Sequence, residues 1–140
     1  MRVIVFVKAT EDSEASALPS PELIEAMGKY NEELINAGIM VGGDGLKASR
    51  FGKRIAFDGA SRTVTDGPFS ETRELVAGFW IWEVKDMDEA VAWAKRCPNP
   101  MPGPSDLELR PVITMEDFAE VMTEEGAAIH ERNRQRLGGE

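Results

Sequence analysis

With 140 residues the chain is long enough for one domain with a real core and short for two. Its 42% apolar content is that of a globular protein, and 25 acidic against 16 basic residues, a formal charge of −9, argue against nucleic acid or an anionic membrane as partner, since both would repel it. No apolar run reaches membrane-spanning length, residues 1–8 are too short for a signal peptide's apolar core and cleavage region, and the single Cys97 excludes an internal disulfide and a cysteine zinc cluster, so the expected compartment is the cytoplasm.

Residues 2–8 form an unbroken β-branched and aromatic run, which predicts a central strand covered on both faces. Residues 9–18 are polar and without period, so a solvated loop is expected. Ser20-Pro21-Glu22 then supplies an N-cap, a proline at the first helical position and an acid in the first turn. The helix that follows carries Leu23, Ala26, Met27, Tyr30 and Leu34 at helical spacing and stops at Gly38. Gly42, Gly43 and Gly45 interrupt the next strand. They are no phosphate loop, because no Lys-Ser/Thr pair opens a helix after them; close backbone approach or a bulge accounts for them.

Arg54-Ile55-Ala56-Phe57 and Arg62-Thr63-Val64-Thr65 flank Asp58-Gly59-Ala60-Ser61 and predict a β-hairpin. Residues 75–84 predict a second long strand, apolar on both faces. Asp86, with Glu89 three residues on, caps a short helix whose stripe is Met87, Ala90, Val91, Ala94 and Cys97, ended by Pro98. That placement makes Cys97 buried bulk rather than a nucleophile. A proline-rich loop leads to a last strand at Leu107-Glu108-Leu109-Arg110. Thr114 and Asp117 then open a final helix with a stripe of Met115, Phe118, Val121, Met122 and Ile129, which becomes a charged arm beyond Gly126.

Between hairpin and second long strand lies the stretch most loaded with chemistry, Asp66-Gly67-Pro68-Phe69 followed by Glu71, Arg73 and Glu74. Asp66 before Gly67-Pro68 is turn-forming, and the bland reading is a tight turn. The sharper reading is a carboxylate whose charged neighbours tune it for acid–base work. Glu108 and Arg110 have a bland reading too, an exposed cross-strand pair on an edge strand.

Strand, helix, strands, helix, strand is the order of a ferredoxin-like α+β sandwich, here with an inserted β-hairpin and a C-terminal helix. Both helices cover one sheet face, and nothing in a single small domain is left for the other. A homodimer with facing sheets, a dimeric α+β barrel enclosing a cavity in each half, is the expected assembly.

The chain resembles the YCII-related proteins, and within them the DGPF-domain group, through Asp66-Gly67-Pro68-Phe69, Val41-Gly42-Gly43-Asp44-Gly45-Leu46, Glu71-Thr72-Arg73-Glu74, Ala77-Gly78-Phe79, Asp88-Glu89-Ala90 and Glu108-Leu109-Arg110-Pro111. The resemblance covers residues 1–112, leaving 113–140 as a helical extension. It implies the dimeric ferredoxin-like fold. Founding YCII proteins look as if they use a histidine near the first helix with an aspartate; this chain has no such histidine, and its His130 lies in the arm. Arg73 stands where the resembled group usually has lysine, and Trp80 and Trp82 occupy a strand where it often has tyrosine.

Two functions stand side by side. In the first, a small molecule is bound near Asp66, with Asp66 or Glu71 as general base and Arg54, Arg73 or Arg110, beside Gly67, Pro68 and Phe69, holding an anionic or enolisable substrate without cofactor or metal. In the second, the chain is a non-catalytic regulatory module. The resemblance implies an extracytoplasmic-function sigma factor as its partner, docked through the arm from Met115 onward.

Overall fold

The computed structural model describes residues 1–138, the Arg73 side chain excepted. Strand β1 (Arg2–Lys8) opens the chain. The expected loop after it contains a short helix, α1 (Glu11–Glu14). Thr10 Oγ1 accepts from the Ser13 N–H at 3.4 Å while Ser13 Oγ accepts from the Thr10 N–H at 2.9 Å, a reciprocal cap that sustains four residues with no apolar period to betray them. Helix α2 (Pro21–Asn36) begins as expected, with Ser20 Oγ accepting from the Leu23 N–H at 3.1 Å, and Gly38 at φ +74° turns the chain out of it.

Strand β2 (Met40–Gly45) follows, then a 3₁₀ turn (Ser49–Phe51) and a two-residue-loop hairpin of β3 (Lys53–Asp58) and β4 (Ser61–Asp66). Strand β5 (Val76–Glu83) leads to α3 (Met87–Lys95), where Asp86 Oδ1 accepts from the Glu89 N–H at 2.9 Å. Strand β6 (Leu107–Pro111) completes the sheet. The single helix expected after it is two: a 3₁₀ segment (Met115–Val121) capped by Thr114 and Asp117, and α4 (Glu124–Arg136). The break falls at Thr123, whose Oγ1 accepts from the Gly126 N–H at 2.9 Å and so starts a new helix at that residue.

The main sheet is antiparallel in the order β2-β5-β1-β6, the ferredoxin-like arrangement, and the hairpin stands apart as its own two-stranded ribbon. One face is the core. Val3 and Val5 of β1 and Trp80 and Trp82 of β5 pack under Tyr30 and Leu34 of α2 and Ala90 of α3. Half-buried Trp93, not among the expected stripe residues of α3, packs there too, while Val91 is exposed. β2 bulges between Met40 and Gly42, and a Cβ on Gly43 would stand 2.6 Å from the Phe79 carbonyl oxygen and 3.2 Å from the Trp80 ring. Both explanations offered for the glycines therefore hold.

The other face carries Ile4 and Phe6 paired with Ile81 and Phe79, each only partly buried, and neither α2 nor α3 lies on it. Ion pairs Arg2–Glu83 and Lys8–Glu108 flank this apolar strip at 3.9 and 3.8 Å.

Tyr30 in the core and the partly buried Cys97 beside it make the fold sensitive to alkaline pH. Tyr30 Oη donates to the Trp93 carbonyl at 2.6 Å, and burial pushes its hydroxyl pKa far up; burial also raises the Cys97 thiol from 9.0 to about 11. Both favour the protonated form in the folded state. The unfolded chain therefore releases protons first as pH rises, and stability present below pH 9 is lost between about 9 and 11. Urea unfolding at pH 8, 9, 10 and 11 is expected to show a falling midpoint, less steep in Cys97→Ala; a flat profile would refute the assignment.

Candidate functional site

The Asp66–Phe69 turn packs onto the Ser49–Phe51 turn. The Gly67 N–H donates to the Gly52 carbonyl at 3.0 Å and the Phe69 N–H to Ser49 Oγ at 3.1 Å. Gly67 joins Pro68 through a cis peptide, and its Cα faces Ser49 so closely that a Cβ would stand 1.8 Å from the Ser49 carbonyl oxygen. Ser49 is gripped from the other side by Glu14 of α1, whose carboxylate accepts from the Ser49 N–H at 3.0 Å and from its hydroxyl. A chain of contacts thus runs from Glu14 through Ser49 to Phe69. Sequence reading missed Glu14; its only local signal is an acid at the last position of a short capped helix.

Of the expected site residues, three converge: Arg54, Phe69 and Glu71. Arg54 lies over the Phe69 ring with its guanidinium carbon 3.8 Å from the centroid, and its Nη1 is 3.9 Å from Glu71 Oε2. Asp66, at the foot of the ribbon, is ion-paired to Lys53 at 2.5 Å with three quarters of its side chain exposed. That is the geometry of a salt bridge closing the hairpin base. Arg110 is elsewhere: it sits on β6 opposite Ile4, on the open sheet face, 3.4 Å from Glu108. This pair runs along one strand rather than across two, and the Lys8 ammonium is the cross-strand partner of Glu108. The Arg73 side chain lies outside the described residues.

Beside the Ser49–Phe51 turn opens a groove of about 990 Å³. Its walls come from the loop after α1, the start of α2, the end of β2 and the proline loop, with Leu18, Leu23, Leu46, Phe51, Ala77 and Met101 as apolar surface. Its size is that of a small-molecule site. None of the seven expected site residues that are fully described lines it; the Asp66–Phe69 turn is joined to its edge through Ser49, next to the wall residues Arg50 and Phe51 of the same 3₁₀ turn. Among the described residues no group of three or more His, Cys, Asp or Glu is placed to hold a metal ion, and no helix is long and apolar enough to cross a membrane. His130 is exposed on α4.

A ferredoxin-like α+β domain with one uncovered sheet face and a groove at its end defines the class. Within that class the chain belongs to the YCII-related domain family, whose model matches residues 1–116. It is also 39% identical over 49 residues to an uncharacterized protein of Rhizobium meliloti (strain 1021); the matched stretch is 35% of this chain and spans 40% of that relative's length.

Proposed function

We propose that the chain works as a homodimer of facing sheets that binds a small molecule in the groove beside the Ser49–Phe51 turn. The carrying observation is continuity. Ala77 lines the groove and shares a strand face with Phe79 and Ile81, the uncovered residues of β5, so a partner seated on that face would also wall the groove. The acid–base reading belongs to the same assembly: Asp66 and Glu71 are solvent-facing in one chain, and only a partner's surface would enclose them with Arg54 around a substrate.

Sedimentation and an apolar fluorescent probe test this together. The wild-type chain is expected to sediment as a dimer and bind the probe, whereas Phe79→Glu, which places a charge in the middle of the apolar strip, is expected to be monomeric with at least ten-fold weaker probe binding. A monomeric wild type, or a monomeric variant that binds the probe equally well, overturns the proposal.

A second reading, a regulatory module docked to a protein such as a sigma factor, has an observation of its own. Met115, Phe118 and Val121, three apart along the 3₁₀ segment, are all exposed, Val121 at 78%, which leaves one apolar side of that segment unpacked.

A further inference from the structure

We infer that the groove selects an anionic amphiphile, one carboxylate or similar anion on an apolar body, with Lys47 and Arg50 as the residues that receive the charge. The inference rests on the reading of the groove as a small-molecule site and adds the ligand class. In a chain of net charge −9, cations are readily neutralised by acids, and Lys8, Lys53, Arg54, Arg96 and Arg110 each lie within 4.0 Å of a carboxylate.

Lys47 and Arg50 do not. Among the described residues neither has a carboxylate partner; each is held over the half-exposed Phe51 ring instead, Lys47 Nζ at 5.3 Å and the Arg50 guanidinium carbon at 4.5 Å from the centroid, with Arg50 Nη1 donating to the Glu14 backbone carbonyl at 3.4 Å. Contact with an aromatic face orients a cation without cancelling its charge. Both residues line the groove, and Asp12 is the one carboxylate-bearing residue in that lining, so the wall is net positive on a negative protein. The rest is mostly aliphatic or aromatic, with Leu23, Leu46, Ala48 and Met101 beside Phe51. Apolar surface supplies affinity for a hydrocarbon body, while two unneutralised cations at one wall discriminate its head.

The glutamate that grips Ser49 takes part indirectly. By fixing the Ser49–Phe51 turn, Glu14 sets where Arg50 and Phe51 stand, which makes it a positioning residue for the head-group end.

Calorimetric titration of the full chain with decanoate and decan-1-ol, which share a tail and differ in charge, tests the inference. Decanoate is expected to bind at least ten-fold more tightly, the preference shrinking as salt is raised from 20 to 500 mM. In Lys47→Gln/Arg50→Gln the two affinities should converge while decanol binding is retained, a readout that also shows the variant folded; Asp12→Asn should keep or increase the preference. Equal binding of the two compounds to the wild type, or a preference untouched by the double substitution, overturns the anionic class but leaves a small-molecule groove. Binding of neither compound overturns that underlying reading and the inference with it.

Discussion

Gly67→Ala is expected to cost about 3 kcal/mol or more, at the upper end of overpacking, and to lower the melting temperature by roughly 10 °C in a chain of this size. The added Cβ would meet the Ser49 carbonyl oxygen at 1.8 Å, the Ser49 carbonyl carbon at 2.6 Å and the Arg50 Cα at 3.2 Å. All three are backbone atoms, so no rotamer change relieves the clash. The two turns must separate. The Gly67–Gly52 and Phe69–Ser49 hydrogen bonds then break, and the turn bearing Arg50 and Phe51 loses one of its two supports, the other being Glu14. Gly45→Ala is the control, because a Cβ there meets nothing within 4 Å. Urea unfolding of both variants decides the matter: a Gly67→Ala midpoint as close to wild type as that of Gly45→Ala would sink the argument. Its effect on decanoate binding should exceed that on decanol, since the loosened turn carries the cation Arg50.

Trp82→Ala is expected to cost about 3–5 kcal/mol, the range for removing a large buried aromatic. Trp82 is fully buried on the interior strand β5, 5.9 Å from the Trp80 ring between centroids. The two tryptophans separate under a gentler substitution. Trp80 Nε1 donates to Asn31 Oδ1 at 2.8 Å, so Trp80→Phe removes the partner of a polar group of α2, whereas Trp82 Nε1 is buried with no acceptor among the described residues. Trp82→Phe should therefore be milder than Trp80→Phe, by about 1 kcal/mol, once the similar loss of ring volume is compared. Denaturation followed by far-ultraviolet circular dichroism reads all three variants. Equal losses for the two phenylalanine substitutions would mean that the Asn31 bond contributes nothing.

The fold was largely legible because its signals are local. Apolar runs marked β1 and β5, Ser20-Pro21 and Asp86 marked the starts of α2 and α3, and the order of elements then left the ferredoxin-like topology. What escaped was short or distant. Helix α1 has only four residues and no buried one, so no periodicity announces it. The break before α4 depends on Thr123 capping afresh, a start that the gap in the apolar stripe between Met122 and Ile129 marks only weakly. The site was legible in part: Arg54, Phe69 and Glu71 do meet near the Asp66 turn. The grip of Glu14 on Ser49 joins residues 35 apart, and the groove is walled by four segments that are separate in the chain. Such a site exists only once the loops are placed, which propensity and patterning do not do.

The ribbon of β3 and β4 has another consequence. Every residue from Lys53 to Asp66 is exposed, Phe57 at 73%, and the chain returns to its point of departure, since Gly52 and Gly67, which bracket the ribbon, are hydrogen-bonded to each other. It is a closed detour. Cutting it out and joining Gly52 to Gly67 would leave the β2-β5-β1-β6 sheet and the core under α2 and α3 with all their partners, because no ribbon residue belongs to that core. Adding such a detour to an ancestral four-stranded domain would cost little beyond loop-closure entropy, which grows only with the logarithm of length. The tip of the ribbon, beyond Arg54 and Asp66 at its foot, could thus be lengthened or decorated while the domain beneath kept its shape.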